Sequence, residues 1–351
     1  MITEVVKILD VKSPLDILSL RRAADIIRNG GLVIFPTETV YGLGGDATSP
    51  EASSKIYSAK GRPSDNPLII HISKPEDAEK YAYTNDLYYK LAEAYMPGPL
   101  TVILKAKDTV PSATRGGLDT VAVRCPSNPI ANKLVELSGV AIAAPSANLS
   151  GSPSPTTAAH AIDDMMGRVD MIIDGGECDF GLESTIVKIG DDGVLCLLRP
   201  GKITVDELSF IAPITVADAV TDKLKEGEVA LSPGMKYRHY APRSEVVLLD
   251  GEVDDCINYI KKAGQNDIGI ICYSDNEKNY SYALPNAKLY LLGVQSDLEA
   301  QAHRLFCVLR DADKAEHSVI YAPLPEKQGV GLALYNRLIR ASAHTIINVR
   351  R

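Results

Sequence analysis

No apolar run in the sequence approaches the ~18 residues that a membrane-spanning helix needs. The opening residues, MITEVVKILD, lack the charged head and apolar body of a secretory leader. A cytoplasmic location with no membrane attachment is therefore expected. An excess of positive charge is missing as well. Lys and Arg number 37 against 45 Asp and Glu, a formal net charge of −8. Strong direct binding to nucleic acid is not expected, because that affinity draws mainly on cations neutralising phosphates. The six cysteines (Cys125, Cys178, Cys196, Cys256, Cys272 and Cys307) form no CxxC pair. They lie in apolar segments and read as small buried hydrophobes rather than as zinc ligands or a disulfide framework. The chain also lacks a GxGxxG fingerprint, a GxxxxGK[ST] loop, internal repeats and low-complexity tracts.

What is present is an ordinary globular composition, 45% hydrophobic and 23% charged, in 351 residues, long enough for about two domains. Ser13 and Pro14 open a helix through DILSLRRAADIIRN that Gly30 and Gly31 end. LVIF is a short buried strand stopping at Pro36, and Ser49-Pro50 start a helix running to Lys60. LIIHI, TVILK, VAVRC, VAIAA, DMIID, STIVKI and VLCLL all read as strands. Ser127-Asn128-Pro129 and the Ser152 to Thr157 run read as helix starts. Many strands with few hairpin signals predict an open mixed sheet flanked by helices over residues 1–212. Residues 213–243 are small, charged and turn-forming, and read as a linker. From Ser244 strands and helices alternate again, which predicts a smaller Rossmann-like α/β domain over 244–351.

Chemistry-bearing residues gather at strand ends of the first domain. PTETVYGLGGDA offers the hydroxyls of Thr37, Thr39 and Tyr41, the Glu38 carboxylate, and glycines that either make a structural turn or let backbone approach a ligand. KGRPSDNPLIIHI places Lys60 and Arg62 in one loop with Ser64 and Asn66. The pair is either a solvated surface or an anion site; Arg supplies a planar fork and Lys a mobile point charge, a combination suited to a polyphosphate. APSANLSGSPSPT, with Ser146, Asn148, Ser150, Ser152 and Ser154, is either a capping loop or an anion cradle of hydroxyls and backbone amides before a helix. Arg124 in VAVRCP and Arg199 in LLRPG end apolar strands. Each needs an anionic partner, either a protein carboxylate or a ligand.

Taken in order, FPTETVYGL, KGRPSDNPLIIHI, PGPLTVIL, VAVRCP, APSANLSGSPSPT, STIV and LLRPG resemble the YrdC-like domain, whose signature is a KxR pair and an SxN pair, here Lys60/Arg62 and Ser146/Asn148. The trailing SPGMKYRHYAP and second α/β domain are similar to the long, two-domain form of the threonylcarbamoyl-AMP synthase family. The resemblance covers nearly the whole chain.

It implies a nucleotidyltransferase that joins L-threonine, bicarbonate and ATP into threonylcarbamoyl-adenylate and pyrophosphate. The product passes to the machinery that modifies tRNAs reading codons that start with A. Carried over residue by residue, Thr37, His71, Arg124, Ala144 and Ser184 are implied to contact threonine. Lys60, Ser64, Thr120, Ser146, Ser154, Arg199 and Tyr240 are implied to contact ATP. Arg62 and Asn148 complete the signature. Mg2+ is expected to arrive on ATP rather than in a protein carboxylate cage.

A site rich in cations and hydroxyls, with no Ser-His-Asp arrangement, suits phosphoryl-type transfer, where positioning and charge stabilisation dominate. SPGMKYRHYAP, with Lys236, Arg238, His239 and Tyr240, is expected to close over the first domain as a lid. His160, His303, His317 and His344 read as structural. Three other classes share parts of this pattern: an RNA-binding module; a carbamoyltransferase of hydrogenase maturation, which would carry the CxxC zinc fingers missing here; and a nucleotide sensor that binds ATP without turnover.

Overall fold

The computed structural model describes residues 2–223, 231–232 and 240–350. The chain forms two compact units. The first holds the residues up to Ser150 together with Ser154–Val220. The second holds Gly151–Pro153, Thr221–Lys223 and the described chain from Tyr240 on.

The first unit begins with β1 (Glu4–Lys7), α1 (Pro14–Arg28), β2 (Val33–Phe35), β3 (Gly42–Asp46), α2 (Pro50–Lys60) and β4 (Ile69–His71). It continues through β5 (Ala82–Tyr83), α3 (Asp86–Tyr95), β6 (Leu100–Ala106), α4 (Ser112–Arg115), β7 (Thr120–Arg124), α5 (Pro129–Ser138) and β8 (Ile142–Ala143). The last elements are α6 (Ala158–Met165), β9 (Met171–Asp174), β10 (Thr185–Ile189), β11 (Leu195–Arg199), α7 (Val205–Ser209) and β12 (Ile214–Val216).

The strands form one mixed sheet in the order β1-β9-β2-β3-β8-β4-β7-β6-β10-β11-β12, with β5 added on β6. Helices α1 and α5 cover part of one face. Leu20, Ala23, Ala24 and Ile27 of α1 and Ile130, Ala131, Leu134 and Val135 of α5 pack with Val33, Phe35, Met171 and Ile173. Their apolar residues recur at helical spacing, so each helix has one side to bury.

Three features differ from the sequence reading. GLGGD, read as a loop, is strand β3, pairing antiparallel with β2 and β8. Its glycines serve packing: a Cβ on Gly44 would lie 2.7 Å from both Phe35 Cε1 and Ile142 Cγ2. Glycine is weak in strands by propensity, which hid the element, but here nothing larger fits between neighbouring strands. The second difference is the helix expected from Ser152 onward. It starts only at Ala158, with Thr157 as its cap, accepting from His160 N at 3.3 Å. The third is inside the stretch read as linker: Ile214–Val216 adds a parallel strand to β11. Beyond these, the polar amino terminus holds edge strand β1, parallel to β9, which the charged residues had masked.

The second unit runs β13 (Glu245–Asp250), α8 (Val253–Ala263), β14 (Ile268–Cys272), α9 (Glu277–Ala283), β15 (Lys288–Leu291), α10 (Leu298–Lys314), β16 (Val319–Pro323), α11 (Gly331–Ala341) and β17 (Ile346–Asn348). Its five strands are all parallel, in the order β15-β14-β16-β13-β17, the doubly wound arrangement expected of a Rossmann-like domain. His317 is a structural histidine, bonded to Tyr290 Oη at 2.7 Å and Asp267 Oδ1 at 3.0 Å. Among the described residues no helix is long and apolar enough to cross a membrane.

Candidate active site

Lys60 is the last residue of α2. Ser49 caps the helix start, Pro50 follows, and Gly61 leaves it in the left-handed conformation (φ 61°), which glycine adopts without strain. A cation at a helix carboxy terminus is favoured by the macrodipole. The Lys60 side chain is buried, and its Nζ donates to the carbonyls of Ser146 (2.5 Å) and Asn148 (2.6 Å). Ser146 Oγ donates to Asn148 Oδ1 at 2.5 Å. The lysine of the first signature and the serine and asparagine of the second therefore form one latch, across 86 residues of chain to Ser146.

Backbone bonds stitch the same loop to the PTETVYGL segment: Leu43 N donates to Pro145 O, Ala147 N to Tyr41 O, and Ser150 N to Lys60 O. Arg62 turns toward its own loop and donates to Asn66 O and Pro67 O at 3.3 and 3.1 Å. Ser64 is exposed. Asn66 is 1% exposed, yet among the described residues neither side-chain amide atom has a hydrogen-bond partner, a rare state for a buried polar group.

A second cluster lies where β4, β7, β6 and β10 run side by side. His71 and Thr101 both register against Arg124. Arg124 Nη2 stands 2.8 Å from Glu38 Oε1, with both side chains almost wholly buried. The buried arginine thus has a protein carboxylate as partner. Thr101 Oγ1 and Ser184 Oγ share a hydrogen bond of 2.7 Å. Arg199 donates through Nε to Ser184 O (3.0 Å) and through Nη2 to Ser184 Oγ (3.1 Å). Ser154 Oγ donates to Glu183 Oε1 at 2.5 Å. Thr37 is held by its own turn, its Oγ1 donating to Val40 O at 2.6 Å. Ala144 is buried, its N–H donating to Ile69 O.

His71 is buried against the edge of the Phe35 ring, 6.2 Å between centroids, and its Nδ1 has no hydrogen-bond partner among the described residues. Burial, with the Arg124 charge second, pushes its pKa down to about 3 from the ordinary 6.5. The neutral imidazole is therefore the working form at neutral pH. In the window between these values the unfolded chain holds a proton the folded one does not. The stability carried by neutral His71 is complete above about pH 6.5 and lost as pH falls toward 3. We expect His71→Asn to flatten the fall of unfolding free energy across that window by up to about 1.4 kcal/mol per pH unit. Denaturant titrations at pH 4, 5 and 6 read this directly, and an unchanged slope would refute it.

The structure brings together Lys60, Ser146 and Asn148 in one group, and Arg124, Ser184 and Arg199 with His71 in the other. One expected residue of the first unit stands apart from the second group. Thr120 opens β7 at the end opposite Arg124, roughly 13 Å along the strand. Tyr240 belongs to the second unit, buried at φ 61° with its ring 5.2 Å from that of Phe306 and the Arg337 guanidinium 5.7 Å away. Of the segment expected as a lid, Lys236, Arg238 and His239 lie outside the described residues. Glu38, Thr101, Asn66 and Glu183 were not among the site residues assigned from sequence. Glu38 carried one signal, the only carboxylate in its loop, but nothing local ties it to an arginine 86 positions away.

A family model described as telomere recombination, covering Sua5, YciO and YrdC proteins, matches residues 25–201. One described as the threonylcarbamoyl-AMP synthase C-terminal domain matches residues 203–343. The threonylcarbamoyl-AMP synthase of Pyrococcus abyssi is 42% identical over 97% of this chain and 99% of its own length. The chain belongs to the threonylcarbamoyl-AMP synthase family, in its two-domain form. The Bacillus subtilis member is 40% identical over 93% of this chain and 94% of its own. The crystal structure of P. abyssi Sua5 complexed with L-threonine superposes with a TM-score of 0.89 at 41% identity, covering 99% of this chain and all of that one. Membership makes this chain an adenylyl-transferring enzyme, and both α/β units are family features.

Proposed function

We propose that the chain condenses L-threonine, bicarbonate and ATP to threonylcarbamoyl-adenylate and pyrophosphate, with the product passing to the machinery that modifies tRNAs reading codons that start with A. The observation that carries this reading is the joining of the two signatures by Lys60 Nζ, which puts a buried cation against the Ser146–Asn148 loop. The threonine complex of the archaeal relative supports the choice of amino acid.

In this reading threonine's amine and bicarbonate form a carbamate, whose oxygen attacks the α-phosphorus of ATP while pyrophosphate leaves. Lys60, Arg62 and Arg199 would balance the developing phosphate charge, with Ser64, Thr120, Ser146, Ser154 and Tyr240 positioning the nucleotide. Thr37, His71, Arg124, Ala144 and Ser184 would hold the amino acid. Mg2+ would neutralise phosphate charge. The donors beside the Lys60 latch are an ammonium, hydroxyls and carbonyls, and no group of three or more His, Cys, Asp or Glu able to hold a metal occurs among the described residues. That set fits a metal carried by ATP and water. A cytoplasmic setting follows from the need for ATP and tRNA.

The test is pyrophosphate release with ATP, bicarbonate and each amino acid in turn. Threonine should lead and serine follow. Valine should fall on the order of 10⁴-fold below threonine, because it leaves buried polar groups without their hydroxyl partner. Valine turning over as well as serine would mean that the amino-acid pocket lies elsewhere. Release of no pyrophosphate with any amino acid would favour the nucleotide sensor.

A further inference from the structure

The Glu38–Arg124 pair holds more bonding capacity than it uses. The two groups meet at 2.8 Å as an ion pair, but neither Glu38 oxygen, nor Arg124 Nε or Nη2, has an aligned hydrogen-bond partner among the described residues. A buried carboxylate and a buried guanidinium normally fill these positions, since each empty one carries a desolvation cost. Neighbouring hydroxyls do not fill them: Thr37 Oγ1 is committed to Val40 O, and Ser184 Oγ to Thr101 and Arg199. An acceptor and a donor fork lying side by side, each with bonding capacity left over, complement a zwitterion that carries its carboxylate and ammonium on the same carbon.

We propose that Arg124 takes the carboxylate of the substrate amino acid and that Glu38 binds its α-ammonium group and then removes a proton from it. This rests on the reaction proposed above, which needs a neutral amine. The steps balance. The ammonium gives one proton to Glu38, leaving the amine and a carboxylic acid. The amine nitrogen then bonds to the bicarbonate carbon while one C–O bond of bicarbonate breaks. The departing hydroxide takes the second nitrogen-bound proton, so water leaves and a carbamate remains. Glu38 returns its proton to solvent before the next turnover. Once the substrate carboxylate offsets Arg124, moving the proton removes two charges from a buried site, the direction burial favours.

The groups facing Glu38 leave it as the base. Arg124 on β7 is a permanent cation. Cys125, at the end of the same strand, and Cys178, before β10, sense the Glu38 charge, and burial pushes both thiols up, Cys125 to about 12. Asp179 adjoins Cys178 and is an acid of the same kind as Glu38, but the ion pair is made by Glu38. His71 registers against Arg124 on β4, and burial with the Arg124 charge second holds its ring neutral.

The experiment compares the full-length protein with Glu38→Gln and Glu38→Asp, using pyrophosphate release from pH 7 to 9 and calorimetric titration with L-threonine. Glu38→Gln should lower kcat at pH 7 by at least 100-fold. Relative to the parent, its rate should then rise about tenfold per pH unit, as solvent supplies the neutral amine that the variant cannot make. Glu38→Asp should keep the parent's pH profile with a smaller loss. Threonine should bind Glu38→Gln at least tenfold more weakly, while N-acetyl-threonine, which has no ammonium, should bind neither protein. A Glu38→Gln rate near the parent's, or a reduced rate parallel to the parent's at every pH, overturns the proposal. If the parent itself releases no pyrophosphate, the reaction reading fails and the titrations alone decide the Glu38 contact. If Glu38→Gln does not fold by circular dichroism, Glu38→Asp and the N-acetyl-threonine titration decide it.

Discussion

Lys60→Ala should lower pyrophosphate release by about 10²–10³-fold while leaving threonine affinity within a few-fold of the parent. The rate loss is the size expected when one preorganised donor to a developing charge is removed from a site shielded from water. Threonine affinity should survive because the Glu38–Arg124 pair and Ser184 are positioned by other strands, β7 and β10. The substitution also strips the carbonyls of Ser146 and Asn148 of their donor, so some loss of stability, about 1–3 kcal/mol for each left buried and unpaired, should accompany it. Asn148→Ala separates the two effects, since it keeps the ammonium and both carbonyls while losing the Oδ1 contacts to Ser146 Oγ and Lys60 and the Nδ2 bond to Leu149 O. Its turnover should fall less than that of Lys60→Ala. Turnover of Lys60→Ala within threefold of the parent would show that the joined signatures do not face the phosphates.

Arg124→Ala is expected to be the most destabilising single change. It leaves Glu38 as a buried carboxylate with no cation beside it, and breaking such pairs costs about 3–5 kcal/mol. Threonine binding should disappear with it, because the guanidinium fork is the proposed carboxylate contact. Removing both charges should behave differently. Glu38→Leu with Arg124→Met has roughly the volume of the original pair and no desolvated charge, so stability should return to within about 1–2 kcal/mol of the parent, and turnover should not return at all. Denaturation midpoints together with threonine titrations distinguish the outcomes. A double variant that regained activity would make the pair a structural device only. An Arg124→Ala protein as stable as its parent would mean that the charges are better solvated than their burial indicates.

Much of the first unit is legible along the chain because its strands are short apolar runs stopped by proline, glycine or charge. TVILK lies in β6, and VAVRC and DMIID match β7 and β9 but for Cys125 and Asp170. Helix α5 opens at its SNP signal, with Asn128 accepting from Ile130 N and Ala131 N. The glycine-rich GLGGD was not legible as a strand. Its strand character comes from how closely Phe35 and Ile142 approach, and that is a property of the assembled sheet. Nor was β12 legible, three residues of which none is buried, in a stretch whose composition suits a linker. It is a strand because β11 offers it an open edge.

The candidate site divides along the same line. The residue types and the order of their motifs were set by the sequence: two cations before LIIHI, hydroxyls and an amide after VAIAA, an arginine ending each of two strands. The order of these motifs along the chain is enough to determine the family. Which of them join was decided by the tertiary structure. Lys60 meets the Ser146 loop because α2 ends where the chain leaving β8 passes. Arg124 meets Glu38, and His71 becomes a neutral ring, only once β4 and β7 lie side by side in a buried sheet. Ion pairing and desolvation depend on distance and on the exclusion of water, and neither is encoded in any local stretch of chain.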